Sequence, residues 1–247
     1  MTVIRWLGQA CFLIMTLGGA QILIDPPAPS VGYHIAAHTI PADLVFVSHQ
    51  HPDHNYVAAA KPTERGTPEF INPLPPPTPP NTEEYGDLSY TFGAPGLPAE
   101  TINARQVFAY HDDVQGKERG PDTITVLQTG GLRIVHMGDI GEMVLTDDQV
   151  KAIGRVDVLM IPVGGFYTVD GAQAAALVAQ LKPRVIIPMH YRTQMLNADL
   201  HAKLHPRDEF LSAMQGKAQI IYAKARDLKL SPKTLPKTPT VYVLRYQ

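Results

Sequence analysis

The stretch Ser48-His49-Gln50-His51-Pro52-Asp53-His54 sets three imidazoles and a carboxylate side by side. These are donors that suit zinc, manganese and iron. The apolar run Leu44-Val45-Phe46-Val47 leads directly into it, so the cluster falls at the C-terminal end of a strand-like segment. Three later residues repeat that placement. His111 follows Gln106-Val107-Phe108-Ala109-Tyr110, Asp139 follows Leu132 to His136 in the turn Gly138-Asp139-Ile140-Gly141, and His190 follows Val185-Ile186-Ile187-Pro188-Met189. In layered α/β folds such loops converge on one rim of the sheet, where chemistry collects. A histidine-rich polar turn is the plain alternative, and the recurrence of matching donors argues against it.

Alternate side chains of an extended loop point the same way, so His49 and His51 can share one ion, with His111 completing the set. Asp53 and His54 follow the Pro52 turn and address a second ion together with His190. The two oxygens of Asp139 suit it to bridge the pair. Hydrolytic two-metal sites hold their ions about 3.5–4 Å apart. Neutral imidazoles with only two carboxylates leave such a centre positive, which favours hydroxide and attracts anionic or carbonyl substrates.

The elements that must carry these residues are legible in outline. Thr2 to Leu7, Ala10 to Thr16 and Ala20 to Ile24 read as strands, with Gly18-Gly19 as a hairpin turn. Leu44 to Val47 is the next strand, and a helix is expected to begin within Asn55 to Ala60. Strands resume over Thr101 to Tyr110, and Asp112 to Asp122 reads as a polar loop near the site. Thr123 to Gln128 and Leu132 to His136 form a hairpin about Gly130-Gly131. Thr146 caps a short helix to Ile153, Val156 to Val163 is a strand, Asp170 caps a helix to Leu181, and Arg184 to Met189 closes the pattern. Two β-rich halves with helices outside make an α+β, four-layer αββα sandwich.

The chain has 247 residues, enough for one large core, and its 45% apolar and 18% charged content is that of a globular protein. We read residues 1–247 as a single metallo-hydrolase domain with a proline-rich surface loop near 72–80. A net charge of −2 gives no global pull towards nucleic acid or anionic membrane. One cysteine, Cys11, excludes an intrachain disulfide and fits a reducing cytoplasm; its apolar setting suggests a buried thiol rather than a nucleophile. The start of the chain lacks the basic flank and cleavage site of a signal peptide.

The His-x-His-x-Asp-His pattern of residues 49–54, followed in order by His111, Asp139 and His190, resembles the metallo-β-lactamase superfamily. More narrowly, Trp6-Leu7-Gly8-Gln9-Ala10, Ile22 to Pro26, Gly138-Asp139, Pro162 to Thr168 and Pro188-Met189-His190-Tyr191 are similar to the UlaG-like metal-dependent hydrolases. The resemblance spans Thr2 to Tyr191 and implies a metallo-β-lactamase-like fold with two divalent metal ions, zinc first and manganese or iron as alternatives. It departs at Gln9, where many relatives carry histidine. The expected function is hydrolysis by a dinuclear-site hydroxide of a small anionic ester, lactone or related carbonyl compound. The alternatives are a phosphodiesterase or nuclease, and a metal-binding scaffold without turnover. Expected partners are a small-molecule substrate, with neither nucleic acid nor membrane, and a homo-oligomer is left open.

Catalytic roles are expected for Asp53, as hydroxide holder or proton carrier, and for Tyr167, as an oxyanion donor. Tyr191 could act as Tyr167 does, or simply pack. Asp25 could orient a ligand histidine, Arg119 and Lys117 could hold a substrate anion, and Gly164-Gly165 could bring backbone close to the site. Core or supporting placement suits His136, whereas His34, His38, His201 and His205 read as surface residues. The basic stretch from Lys217 to Arg245 reads as a solvated face.

Overall fold

A computed structural model describes residues 1–76, 85–94 and 96–246. The first half of the chain runs β1 (Thr2–Gly8), β2 (Cys11–Met15), β3 (Gln21–Ile24), β4 (Ile40–Pro41), β5 (Leu44–Phe46), β6 (Ala60–Lys61) and β7 (Glu69–Ile71). The second runs β8 (Tyr85–Ala94), β9 (Leu97–Tyr110), β10 (Pro121–Thr129), β11 (Leu132–His136), α1 (Asp147–Ile153), β12 (Val158–Pro162), α2 (Gly171–Leu181), β13 (Val185–Met189), α3 (Ala198–Lys203), α4 (Asp208–Met214), β14 (Gln219–Tyr222), β15 (Asp227–Leu230) and β16 (Thr240–Val243).

Two mixed sheets result. One has the order β15-β1-β2-β3-β5-β7 and the other β14-β16-β13-β12-β11-β10-β9-β8. Strand composition follows burial. In β1 buried and half-buried residues alternate at first, whereas β12 and β13 are buried throughout, as parallel strands covered on both faces must be. The inner faces pack Ile4, Trp6, Phe12, Ile22 and Phe46 against Leu127, Ile134, Met160 and Ile187. α1, α2 and α4 cover the outside of the larger sheet through Ile153, Leu177, Leu181 and Phe210. Over the outside of the smaller sheet the layer is thinner: Val31, Tyr33, Ile35, Leu196 and Leu204 cover Cys11, Leu13, Leu23 and Val45. Cys11 is fully buried and its thiol is pushed up by burial, as its setting suggested.

Both expected caps form. Thr146 Oγ1 accepts from Gln149 N at 3.1 Å while Gln149 Oε1 accepts from Thr146 N at 2.8 Å, and Asp170 and Gln173 repeat the exchange at α2. Two expectations need correction. The helix anticipated within Asn55 to Ala60 is a single 3₁₀ turn, Val57–Ala59, which runs straight into β6. The strand expected at Thr101 begins at Leu97 and pairs with β8, in which Leu88, Tyr90 and Phe92 alternate with the exposed Asp87, Ser89 and Thr91. Within the proline-rich stretch, residues 72–76 have no regular structure, and 77–80 lie outside the described residues.

One rim matters for function. Strands β3, β5, β11, β12 and β13 run parallel to their neighbours in register, so the loops after their C-terminal ends gather together. The β1–β2 turn, the end of β9 and the start of β10 arrive at the same rim through antiparallel pairing.

Candidate metal centre

Five imidazoles and two carboxylates from four segments meet at that rim in two groups. His49, His51 and His111 form one; Asp53, His54, Asp139 and His190 form the other; within each, one donor atom per residue lies within 4.8 Å of the rest. Asp139 Oδ2 joins them, standing 3.1 Å from both His54 Nε2 and His190 Nε2 and 3.4 Å from His111 Nε2. The His49 and His54 rings are 4.2 Å apart, so the groups adjoin. Every residue expected as a ligand is therefore present at one point.

Backbone geometry explains the convergence. Gln9, Asp25 and His190 adopt positive φ of 51°, 47° and 48°, turning sharply at strand ends. Such conformations in non-glycine residues cost about 1 kcal/mol or more and cluster where the surrounding fold dictates side-chain direction. A Cβ on Gly138 (φ +56°) would run into the Asp122 carboxylate, so glycine there lets Asp139 reach inward. A Cβ on Gly164 would run into the His190 carbonyl, so the two strand ends can touch only without it.

Supporting groups hold two of the imidazoles, His54 and His49, by their far nitrogens. Asp25, fully buried, accepts from Ser48 N at 2.7 Å, Ser48 Oγ at 2.6 Å and His54 Nδ1 at 2.9 Å. An imidazole that donates from Nδ1 presents the Nε2 lone pair, the form a cation needs. His49 Nδ1 lies 2.9 Å from Ser48 Oγ and 3.4 Å from Asp122 Oδ1. His136 is a core residue, as expected: its Nε2 donates to Ala10 O at 2.8 Å, and its Nδ1 accepts from Gly138 N at 3.1 Å.

Charge follows the carboxylates rather than the grouping: Asp139 holds His111 above the ordinary histidine range against the opposing effect of burial. Burial drives His49 and His51 below the ordinary histidine range, with neighbouring imidazoles adding to the effect. Burial also opposes charge on His54 and His190, but Asp139 and Asp53 overcome it; His54 is raised well above its usual value and His190 to about 9. The same imidazoles hold Asp53 and Asp139 well below the carboxylate range despite burial. Several buried atoms of the site, His49 Nε2 and Asp139 Oδ1 among them, have no hydrogen-bond partner among the described residues. An unpaired buried lone pair is costly, and a cation is what this donor set would satisfy. The residues present fit a metal pair.

Two contributors were not foreseen. Asp122 sits at the end of what reads as a polar loop, yet it is fully buried, and burial pushes its carboxyl up to about 7. Gln9 is buried at the β1–β2 turn, with Nε2 donating to Asp53 Oδ2 at 3.0 Å. An acid just before an apolar strand was the available signal for Asp122; for Gln9 it was the mismatch at a motif position.

Beside His111 lies a cleft of about 150 Å³ lined by Asp113, Arg119, Met143, Tyr167, Thr168 and Gln173. Arg119 Nη2 donates to Phe166 O at 3.1 Å, which fixes the guanidinium at its mouth. Tyr167 is thus placed beside the ligands. Tyr191 is not: buried against Trp6 at 5.4 Å, it accepts from Arg207 and belongs to the core. Lys117, His34, His38, His201 and His205 are exposed.

The model of the β-lactamase superfamily domain matches residues 3–190. The chain belongs to the metallo-β-lactamase superfamily. Its curated relatives include a UPF0173 metal-dependent hydrolase of Thermococcus onnurineus, 31% identical over 92% of this chain and 99% of the relative. Another, from Anaeromyxobacter dehalogenans, is 29% identical over 89% and 83%. Among solved structures, a Zn-dependent hydrolase of the superfamily from Thermotoga maritima superposes with a TM-score of 0.66 at 29% identity, covering 100% of both chains. This superfamily member is a metal-dependent hydrolase with an α+β sandwich of two mixed sheets.

Proposed function

We propose that the hydrolase holds two divalent ions, zinc by preference and manganese or iron as alternatives, and cleaves a small anionic ester, lactone or related carbonyl substrate. His49, His51 and His111 would hold one ion, Asp53, His54 and His190 the other, and Asp139 would lie between them. The observation that carries the reading is the convergence of buried donors with unpaired lone pairs on one point. Imidazole-rich sites suit zinc, and the Thermotoga relative is described as Zn-dependent. When bound, the ions supply Lewis acidity and lower the pKa of water. Residues 6–10 and 162–168 support a reading of the chain as UlaG-like.

The protein's own groups divide the rest of the work. Arg119 stands at the cleft mouth and would pair with a substrate carboxylate or phosphate, while Tyr167 would donate to the developing oxyanion. Asp53 is the more open of the two carboxylates, at 18% side-chain exposure against 2% for Asp139. That makes Asp53 the residue placed to pass a proton to the leaving oxygen. A cleft of about 150 Å³ suits a small molecule rather than a polymer. Among the described residues no helix is long and apolar enough to cross a membrane, and a cytoplasmic setting accords with the lone cysteine.

The test couples elemental analysis of protein purified without added metal to turnover on lactones, thioesters, amides and phosphodiesters. Two ions per chain and carbonyl turnover are expected. Asp53→Ala should lose about a thousandfold in kcat/KM, roughly 4 kcal/mol. Full metal loading with near-normal turnover in that variant would remove Asp53 from the mechanism, and turnover confined to phosphodiesters would replace the substrate class.

A further inference from the structure

The same rim carries a second feature, beyond β13, that the hydrolytic reading does not use. The ends of β14 and β16 and the turn into β15 enclose a groove of about 750 Å³ with Arg207, the residue before α4. Its lining holds four cations, Arg207, Lys224, Arg226 and Arg245, and no carboxylate. Among the described residues none of the four forms an ion pair with an acid. The nearest acid in sequence to Arg226 is Asp227, and Arg5 occupies both of its oxygens at 2.7 and 2.8 Å. The four form a local concentration of positive charge on a chain of net charge −2.

Two of these side chains are fixed in place. Arg207 lies against two rings, 5.4 Å from the Tyr191 centroid and 6.0 Å from that of Tyr222. Its Nη1 donates to Tyr191 Oη at 3.5 Å, and its buried Nε has no hydrogen-bond partner among the described residues. Arg245 Nη1 donates to Lys224 O at 3.4 Å. Guanidiniums held this way have already lost rotamer freedom and can meet an anion with paired donors. The groove volume falls within the range of about 300–1,000 Å³ found for small-molecule sites, far more than a bare oxyanion fills. Tyr222, beside Arg207, is still 62% exposed at its wall.

From this arrangement we infer that the groove is a binding site for a small phosphomonoester, its phosphate among Arg207, Arg226 and Arg245 and any planar ring against Tyr222. Free inorganic phosphate and a nucleoside monophosphate share that chemistry, and Tyr222 distinguishes them. Base–aromatic stacking adds about 1–3 kcal/mol per base.

Calorimetric titration of the metal-loaded full chain with inorganic phosphate and with AMP tests the site, run also on His51→Ala to separate it from the metal centre. The expected result is binding of both ligands that survives in His51→Ala, tighter for AMP by about fivefold or more. Arg226→Ala/Arg245→Ala should weaken both at least tenfold without changing ester turnover, and Tyr222→Ala should weaken AMP alone. Should the double variant fail to fold, exposed Arg226→Glu by itself carries the same expectation. The inference is overturned if neither ligand binds at millimolar concentration. It is equally overturned if all binding vanishes in His51→Ala and persists in the arginine variants, or if only longer oligonucleotides bind.

Discussion

The two rims of the sandwich are built from the same chemistry and differ in one respect. At the rim opposite the metal centre, buried or half-buried acids also sit at strand ends. Asp43, before β5, accepts from Gln21 N at 2.7 Å, from Arg65 Nη1 at 3.3 Å and from Thr63 Oγ1. Asp157, before β12, accepts from Arg133 N at 2.9 Å and from Arg155. Glu100 joins the two sheets by accepting from Gly18 N at 2.6 Å and from Gly130 N at 2.8 Å. There each acid has its donors from within the protein. At the metal rim His49 Nε2, both Asp122 oxygens and Asp139 Oδ1 have none among the described residues. Polar groups closed on themselves stabilise a fold, whereas groups left open at the same depth await a ligand.

That contrast can be broken by exchanging the outcomes. Asp43→Ala strips the acceptor from Gln21 N, Thr63 and Arg65, and should cost about 3 kcal/mol in urea unfolding. Its metal content should stay that of the wild type; a loss of metal would mean that the two rims are not separable. Asp122→Asn should do the reverse. Asparagine matches the protonated carboxyl that burial favours, so unfolding should change little at pH 7, while metal affinity measured against a competing chelator falls about 10- to 100-fold. A change in stability larger than that in affinity would class Asp122 with the closed rim.

Glu100→Gln gives the smallest and most pH-specific effect. Burial raises the Glu100 carboxyl, but hydrogen bonds from Thr129, Gly18 and Gly130 outweigh it and hold the group below its usual value. A depressed acid contributes stability above its unfolded pKa of about 4.3 and loses it as pH falls through the folded value. The variant should therefore be about 1 kcal/mol less stable at pH 7, with the gap closing below about pH 4 in thermal melts. A gap independent of pH would show that packing, not charge, joins the hairpins.

Legibility in the sequence followed locality. The meeting of the metal-donor residues could be read because they follow apolar strands, and strand ends are a local property. Both caps could be read because Thr146 with Gln149 and Asp170 with Gln173 are local pairs. Asp122 could not, since its burial comes from Gly138 and His49, which reach it only through sheet pairing. Strand β8 was missed despite a local signal, the alternation of Leu88, Tyr90 and Phe92 with Asp87, Ser89 and Thr91. α3 and α4 are too short to show a periodicity. The groove lies in the same class: Arg207 and Arg245 are remote in sequence, and a run of lysines and arginines looks solvated until strands β14 and β16 bring their ends together.

The close approach of Gly164 to the His190 carbonyl limits how this enzyme can be retuned. Any side chain at that position would wedge two adjacent strand ends apart and carry a ligand histidine with them. Laboratory evolution for new substrates should therefore leave Gly164 untouched and gather its changes at Arg119, Met143, Thr168 and Gln173, where the cleft wall can vary without disturbing the cations' seat.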